Sequence, residues 1–318
     1  MQVLTEVFLH NEVFITFVGS LIALAICIAI GYTGRKTGIL TDPLNAGMSS
    51  VMIKITLPCT IFVSMMRPFT SELLLESLAT LFITAVVFLF GYVVGMALAR
   101  IMRISDGEKR VWQFALVFPN VAYMGFPVIQ ALYGHYGMVY TAMANVSFQV
   151  LAFSLGVYLF NKKSDSDVKA NLRAIAYNPA LIVTGIAFIF FVTGFRLPAP
   201  IFEGVRLVGD MTVPLSMLLV GSILAKSRVI ELVSDPKVLP VVFMRLVGIP
   251  LITFSILRLF IHNPVMLGVI VVLSAMPAAA LTVIFAEQYK GDTAVASRLV
   301  AISSFLCLFT IPLISLLL

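Results

Sequence analysis

Apolar residues fill long stretches of this chain, and short polar or basic intervals separate them. A bilayer core needs about 20 mostly apolar residues per helix. Ten runs approach or exceed that length, at roughly 13–32, 47–66, 73–99, 111–133, 138–160, 175–195, 202–225, 238–260, 264–287 and 293–317. Numbered in chain order as segments 1 to 10, they leave almost no chain for a soluble domain. The pattern predicts an all-α polytopic membrane protein. The start, MQVLTEVFLHNEVF, carries acidic residues and no basic stretch ahead of the first run, so segment 1 is expected to be a retained helix and not a signal peptide.

Composition agrees with this reading. Of 318 residues 60% are hydrophobic and only 11% charged, with a mean hydropathy of +1.07, against roughly 45–50% apolar and about 25% charged in soluble domains. The net charge of +6 would raise nucleic acid as a partner in a soluble protein, but in a membrane protein basic residues first report orientation. Loops after odd-numbered segments hold Arg35, Lys36, Arg100, Arg103, Lys109, Arg110, Lys162, Lys163, Lys169, Arg173, Lys226, Arg228, Lys237 and Lys290; loops on the other side hold Arg67, Arg196, Arg206 and Arg258. That bias places the odd loops in the cytoplasm and both termini outside. The bilayer is therefore the partner that the charge pattern indicates, in a plasma or bacterial inner membrane, with no nucleic acid. Cys27, Cys59 and Cys307 all fall inside spans, are odd in number and lack metal-ligand spacing, so neither a disulfide framework nor a metal site is expected.

The polar run NKKSDSDVKANLR divides the segments five and five, as a cytoplasmic linker over 161–174 between units 1–160 and 175–318. A duplicated unit of five spans inserts upside down the second time. Faint self-similarity supports such a repeat. KITLP ends at Pro58 and DMTVP at Pro214, 156 residues later; Tyr133 and Tyr289 share that offset, and Pro119 and Pro277 lie 158 apart. Segments 4 and 9 thus contain paired prolines near their middles, and both are expected to be interrupted. Broken backbone at membrane depth is tolerated only where protein covers it or where it lines a cavity. Half-helices that start after such breaks aim N–H groups and partial positive charge at the crossing point, which suits an anion. Asn120, immediately after Pro119, can donate or accept there. A simple proline kink is the competing reading for each position.

Three stretches carry a family resemblance. PNVAYMGFP at 119–127, AMPAAALTVIFAEQY at 275–289 and NPALIVTGI at 178–186 resemble the fourth, ninth and sixth segments of the auxin efflux carrier family, which includes plant PIN-type carriers and bacterial organic-acid permeases. The resemblance implies two inverted five-helix halves, a fold shared with cation–proton antiporters and bile-acid symporters. Segments 1, 2, 6 and 7 would form a scaffold, and segments 3–5 and 8–10 a moving unit built around the crossing of 4 and 9. It further implies elevator-type transport of an organic anion, and a homodimer. The family's crossover asparagine corresponds to Asn120. Ala278 stands where other members have polar side chains, which points to backbone N–H groups on that side.

The expected substrate site therefore comprises Pro119, Asn120, Val121, Pro277, Ala278 and Ala279, with Asn145 and Arg298 as further candidates. Asn145 and Gln149, at i and i+4, share a helix face and could meet a carboxylate or sodium, or simply join helices. Lys54 and Asp210 occupy equivalent repeat positions, but inversion sets them toward opposite membrane faces. They are read with Gln149 as gating or coupling candidates, without a direct ion pair. Arg245 lies about two turns from the cytoplasmic edge and is expected to snorkel to it. Gly91, Gly95 and Ala99 make a small-residue row for close packing on segment 3.

No H-E-x-x-H or G-x-S-x-G occurs, so an enzyme is not expected. N-P-A at 178–180 and N-P-V at 263–265 raise a pore, but they sit at the starts of segments 6 and 9. The sequence reading is a secondary carrier of a small mono- or dicarboxylate such as malate or malonate. No cofactor is expected, and H+ or Na+ is the candidate coupling ion. A sodium-coupled organic-anion symporter of related fold is the alternative.

Overall fold

The computed structural model describes residues 2–160, 173, 176–226 and 237–318, with side chains from Gly19 onward except those of Asp106 and Lys226. The expected linker at 161–174 lies outside the described residues apart from Arg173. The chain is helical over this range apart from short connections and two interruptions. In order it forms α1 (Gln2–Lys36), α2 (Asp42–Met65), α3 (Ser71–Ile101), α4 (Asp106–Val117), α5 (121–133), α6 (135–160), α7 (Pro179–Thr193), α8 (Ala199–Ala225), α9 (Val238–Leu257), α10 (Pro264–Ser274), α11 (Leu281–Gln288) and α12 (Thr293–Ser315). Among the described residues, six helical stretches are long and apolar enough to cross a membrane, and two shorter apolar helices accompany them. No strand forms among them; the one pairing of extended backbone is an isolated bridge between Pro119 and Ala278.

Local chemistry sets the helix ends. Asn178 and Asn263 each precede a proline, and their side-chain oxygens accept from the N–H groups two and three residues on, at 2.9–3.3 Å. Asparagine at the cap followed by proline in the first turn is a helix-start signature. The two Asn-Pro pairs therefore begin α7 and α10. Gly134, with φ of +57° and ψ of −155°, separates α5 from α6 without a loop, a conformation that costs other L-residues about 1–3 kcal/mol. Inside the helices, π-helical turns at Met52–Thr56, Val121–Gly125 and Met244–Gly248 each stand two residues before a proline, at 58, 127 and 250. A proline lacks its N–H and crowds the carbonyl four residues back. Widening the preceding turn relieves that conflict.

Packing inverts the arrangement of a soluble protein. Large apolar side chains face outward, among them Phe82, Val86 and Ile189, each more than 60% exposed, while Thr56, Thr60, Ser77, Thr80 and Thr84 are buried. A contiguous apolar exterior of this kind suits lipid. Small residues let backbones touch where helices cross, as in other membrane bundles. A methyl group added at Gly31 would fall on the Leu218 backbone, and one at Gly221 on the Ile28 carbonyl, so α1 and α8 meet glycine to backbone in both directions. Gly91 and Gly95 of α3 bear in the same way on Leu116 and Gln113 of α4.

Two sets of contacts stand out. α1 packs chiefly on the second half of α8, while α7 and the first half of α8 pack on the end of α2. α3 packs on α4 and on the α5–α6 pair, α10 packs on that pair and on α9, and α12 packs on α11, α9 and α4. The interrupted helices α4–α5 and α10–α11 lie in the interior, where residues 268–279 are buried without exception.

Candidate functional site: a bridged crossing of two interrupted helices

Both predicted interruptions are present. α4 stops at Val117, Phe118 is extended (φ −102°, ψ 104°), and helix resumes at Val121; α10 stops at Ser274 and α11 starts at Leu281. The two extended stretches run antiparallel against each other. The Asn120 N–H donates to Pro277 O at 2.8 Å, and the Ala279 N–H donates to Phe118 O at 3.0 Å. Proline suits positions 119 and 277 because neither needs a donor of its own there. Buried backbone must be satisfied, and here each break satisfies the other.

The remaining groups close the joint further. The Asn120 side-chain oxygen accepts from the Tyr123 N–H at 3.2 Å and caps α5. The Ala278 N–H donates to the Ser303 hydroxyl of α12 at 3.1 Å, and that hydroxyl donates to Leu299 O at 2.6 Å. Asn120, Val121, Ala278 and Ala279 are all buried. The bare N–H of Ala278 is thus held by α12. The first-turn N–H groups of Ala122, Ala280 and Leu281 are donors that neither the bridge nor Ser303 uses.

Arg245 corrects an expectation. It does not snorkel: it sits in the π-helical turn of α9, is 2% exposed, and donates from Nε to Met276 O at 2.9 Å and from Nη1 to Leu116 O at 2.7 Å. Its third nitrogen, Nη2, is buried with no partner. The side chain points inward and not toward the membrane edge, because two backbone carbonyls from the interrupted helices offer it acceptors inside the bundle.

Asn145 on α6 is 1% exposed, and both its amide oxygen and its amide nitrogen lack a partner. Phe148, three residues on, meets Phe118 edge to face with ring centroids 5.6 Å apart, so this part of α6 lies beside the crossing. Gln149 is half-buried on the same helix. Arg298 is half-buried near the start of α12, and it is Ser303 further along that helix that reaches the bridge. Lys54 and Asp210 are exposed and not ion-paired with each other; the ion pairs among the described residues are Arg35–Asp42 and Arg206–Glu203.

Three features escaped the sequence reading. Ser303 looked like one more small polar residue in an apolar span. Glu76 of α3 accepts from Tyr140 and from Asn263 Nδ2 at 2.8 Å, tying α3, α6 and α10 together; an acid a turn and a half inside a helix was the available signal. An apolar cavity of about 120 Å³ beside α5 is lined by Leu24, Ile28, Met124, Met217 and Cys307 among others. Among the described residues no group of three or more His, Cys, Asp or Glu is placed to hold a metal.

Sequence comparison with known proteins places the chain among membrane transporters. Residues 16–315 match the family described as membrane transport protein. The uncharacterized transporter MJ1031 of Methanocaldococcus jannaschii is 23% identical over 292 residues, covering 91% of this chain and 94% of the relative. The uncharacterized transporter YfdV of Escherichia coli K12 is 22% identical over 309 residues, covering 93% and 96%. A transporter of Methanothermobacter thermautotrophicus is 24% identical over 305 residues, covering 93% and 98%. With the match extending over nearly the whole length, the chain belongs to the auxin efflux carrier family of membrane transport proteins.

Proposed function

We propose that this transporter is a secondary carrier of a small organic anion, a mono- or dicarboxylate such as malate or malonate. The observation that carries the reading is the bridged crossing: two interruptions, both covered by protein, from which α5 and α11 start with unused N–H groups. Such ends favour negative charge. α4–α5 and α10–α11 then each count as one crossing, giving ten in two inverted halves, with the termini outside the cytoplasm of a cell membrane. The two sets of packing contacts support a scaffold of segments 1, 2, 6 and 7 and an elevator unit of segments 3–5 and 8–10. The functional assembly is a homodimer in this reading.

The test is uptake of labelled malonate or malate into proteoliposomes under imposed gradients. Asn120→Ala should abolish uptake while the protein stays folded in the membrane, since its backbone N–H still completes the bridge. Full uptake by that variant removes Asn120 from the site. A sodium-coupled symporter is the second reading, favoured by the partnerless buried oxygen of Asn145, because amide oxygens suit hard cations. Uptake that requires sodium at fixed pH selects it.

A further inference from the structure

Arg245 is a buried cation among backbone carbonyls, with no carboxylate paired to it among the described residues. The carbonyls it holds are not arbitrary. Leu116 O is one of the last, intrahelically unpaired carbonyls of α4, and Met276 O lies two residues beyond Ser274, in the extended stretch that follows the C-cap of α10. A helix end of this type carries about −0.5 elementary charge, and the beginning of a helix about +0.5. Four half-helices converge at the crossing. Two present negative ends and two present positive ends, so the negative ends of α4 and α10 offset part of the attraction that the N–H groups of α5 and α11 offer an anion.

We propose that Arg245 is the charge that makes the crossing selective for anions. One guanidinium offsets both negative ends, through a hydrogen bond to a terminal carbonyl of α4 and one to Met276 O just past the end of α10, and leaves the positive starts of α5 and α11 uncancelled. The surplus is about one elementary charge, which matches one carboxylate. The planar fork suits this task, since Nε and Nη1 point to two acceptors on different helices at once. Nη2 remains as a buried donor without a partner, at a site where a permanently unpaired donor would be costly. Arg245 is therefore a specificity-determining residue that acts chiefly through the backbone charges it cancels.

This assignment rests on the organic-anion reading, and the test separates the two. Full-length protein in nanodiscs is titrated with malonate and with malonamide, its uncharged diamide. Binding is read from the shift in melting temperature and from the emission of Trp112, the sole tryptophan, one turn before Leu116. Wild type should prefer malonate. In Arg245→Met, malonate affinity should fall by more than about tenfold, with any malonamide response unchanged. Arg245→Lys keeps the charge and should stay within about tenfold of wild type. A purely structural role would move melting temperatures but not the preference for malonate over the diamide. A folded Met variant with wild-type preference, or a folded Lys variant that no longer binds malonate, overturns the assignment alone. If the Met variant does not fold, the Lys variant decides. Wild-type protein that ignores malonate, malate and acetate alike removes the organic-anion reading and this assignment with it.

Discussion

Replacing Gly91 by alanine tests whether the crossing is a rigid joint. The added methyl group would land on the Leu116 carbonyl oxygen, and within 3.2 Å of the Val117 Cα. Both are backbone atoms in the last turn of α4, so no side chain can swing aside. Overpacking of this sort costs about 1–3 kcal/mol. The same carbonyl is also the Nη1 acceptor of Arg245 at 2.7 Å, and displacing it weakens a charged hydrogen bond worth about 1.5–3 kcal/mol. Together they predict a loss of about 2–5 kcal/mol. Equilibrium unfolding in mixed micelles, followed through Trp112, measures it. Gly185→Ala is the control, because nothing lies within 4 Å of its added carbon and alanine favours helix over glycine by up to about 1 kcal/mol. That variant should equal or exceed wild-type stability. A Gly91→Ala protein as stable as wild type would mean that the end of α4 yields freely, and that Arg245 does not fix it.

Other expectations are as direct. Ser303→Ala leaves the buried Ala278 N–H without its acceptor and should cost about 1–3 kcal/mol, measured by the same unfolding, while Ser303→Thr keeps the hydroxyl and most of the stability. Gly134→Ala forces a side chain into a positive-φ, extended-ψ conformation that is essentially reserved for glycine at the α5–α6 junction and should lose about 1–3 kcal/mol, seen as a lower melting temperature. Asn263→Ala removes both the α10 cap and a donor to Glu76. It should cost at least about 1 kcal/mol, more than the equivalent change at Asn178, whose side-chain amide has no such second role.

Much of this architecture was legible from residue types. Prolines near the middles of two long apolar runs marked the interruptions, and the Asn-Pro pairs marked helix starts, because proline and asparagine act on the backbone within a few residues of themselves. The row of Gly91 and Gly95 announced close packing for the same reason. What stayed hidden depends on partners far away in the chain. Arg245 meets Leu116 and Met276, Ser303 meets Ala278, and Asn120 meets Pro277. The crossing was expected to offer its N–H groups to a ligand, whereas Asn120, Ala278 and Ala279 already spend theirs on protein acceptors. A sequence shows that a donor is freed from its helix; only the opposing strand shows that it has been taken up again.

The short pairing at Pro119 and Ala278 also has a mechanical side. Two peptide hydrogens rivet four rods at one buried point. A push on the tip of any rod therefore reaches the other three before the rivet opens, and in the proposed elevator reading the crossing would have to move as a single part.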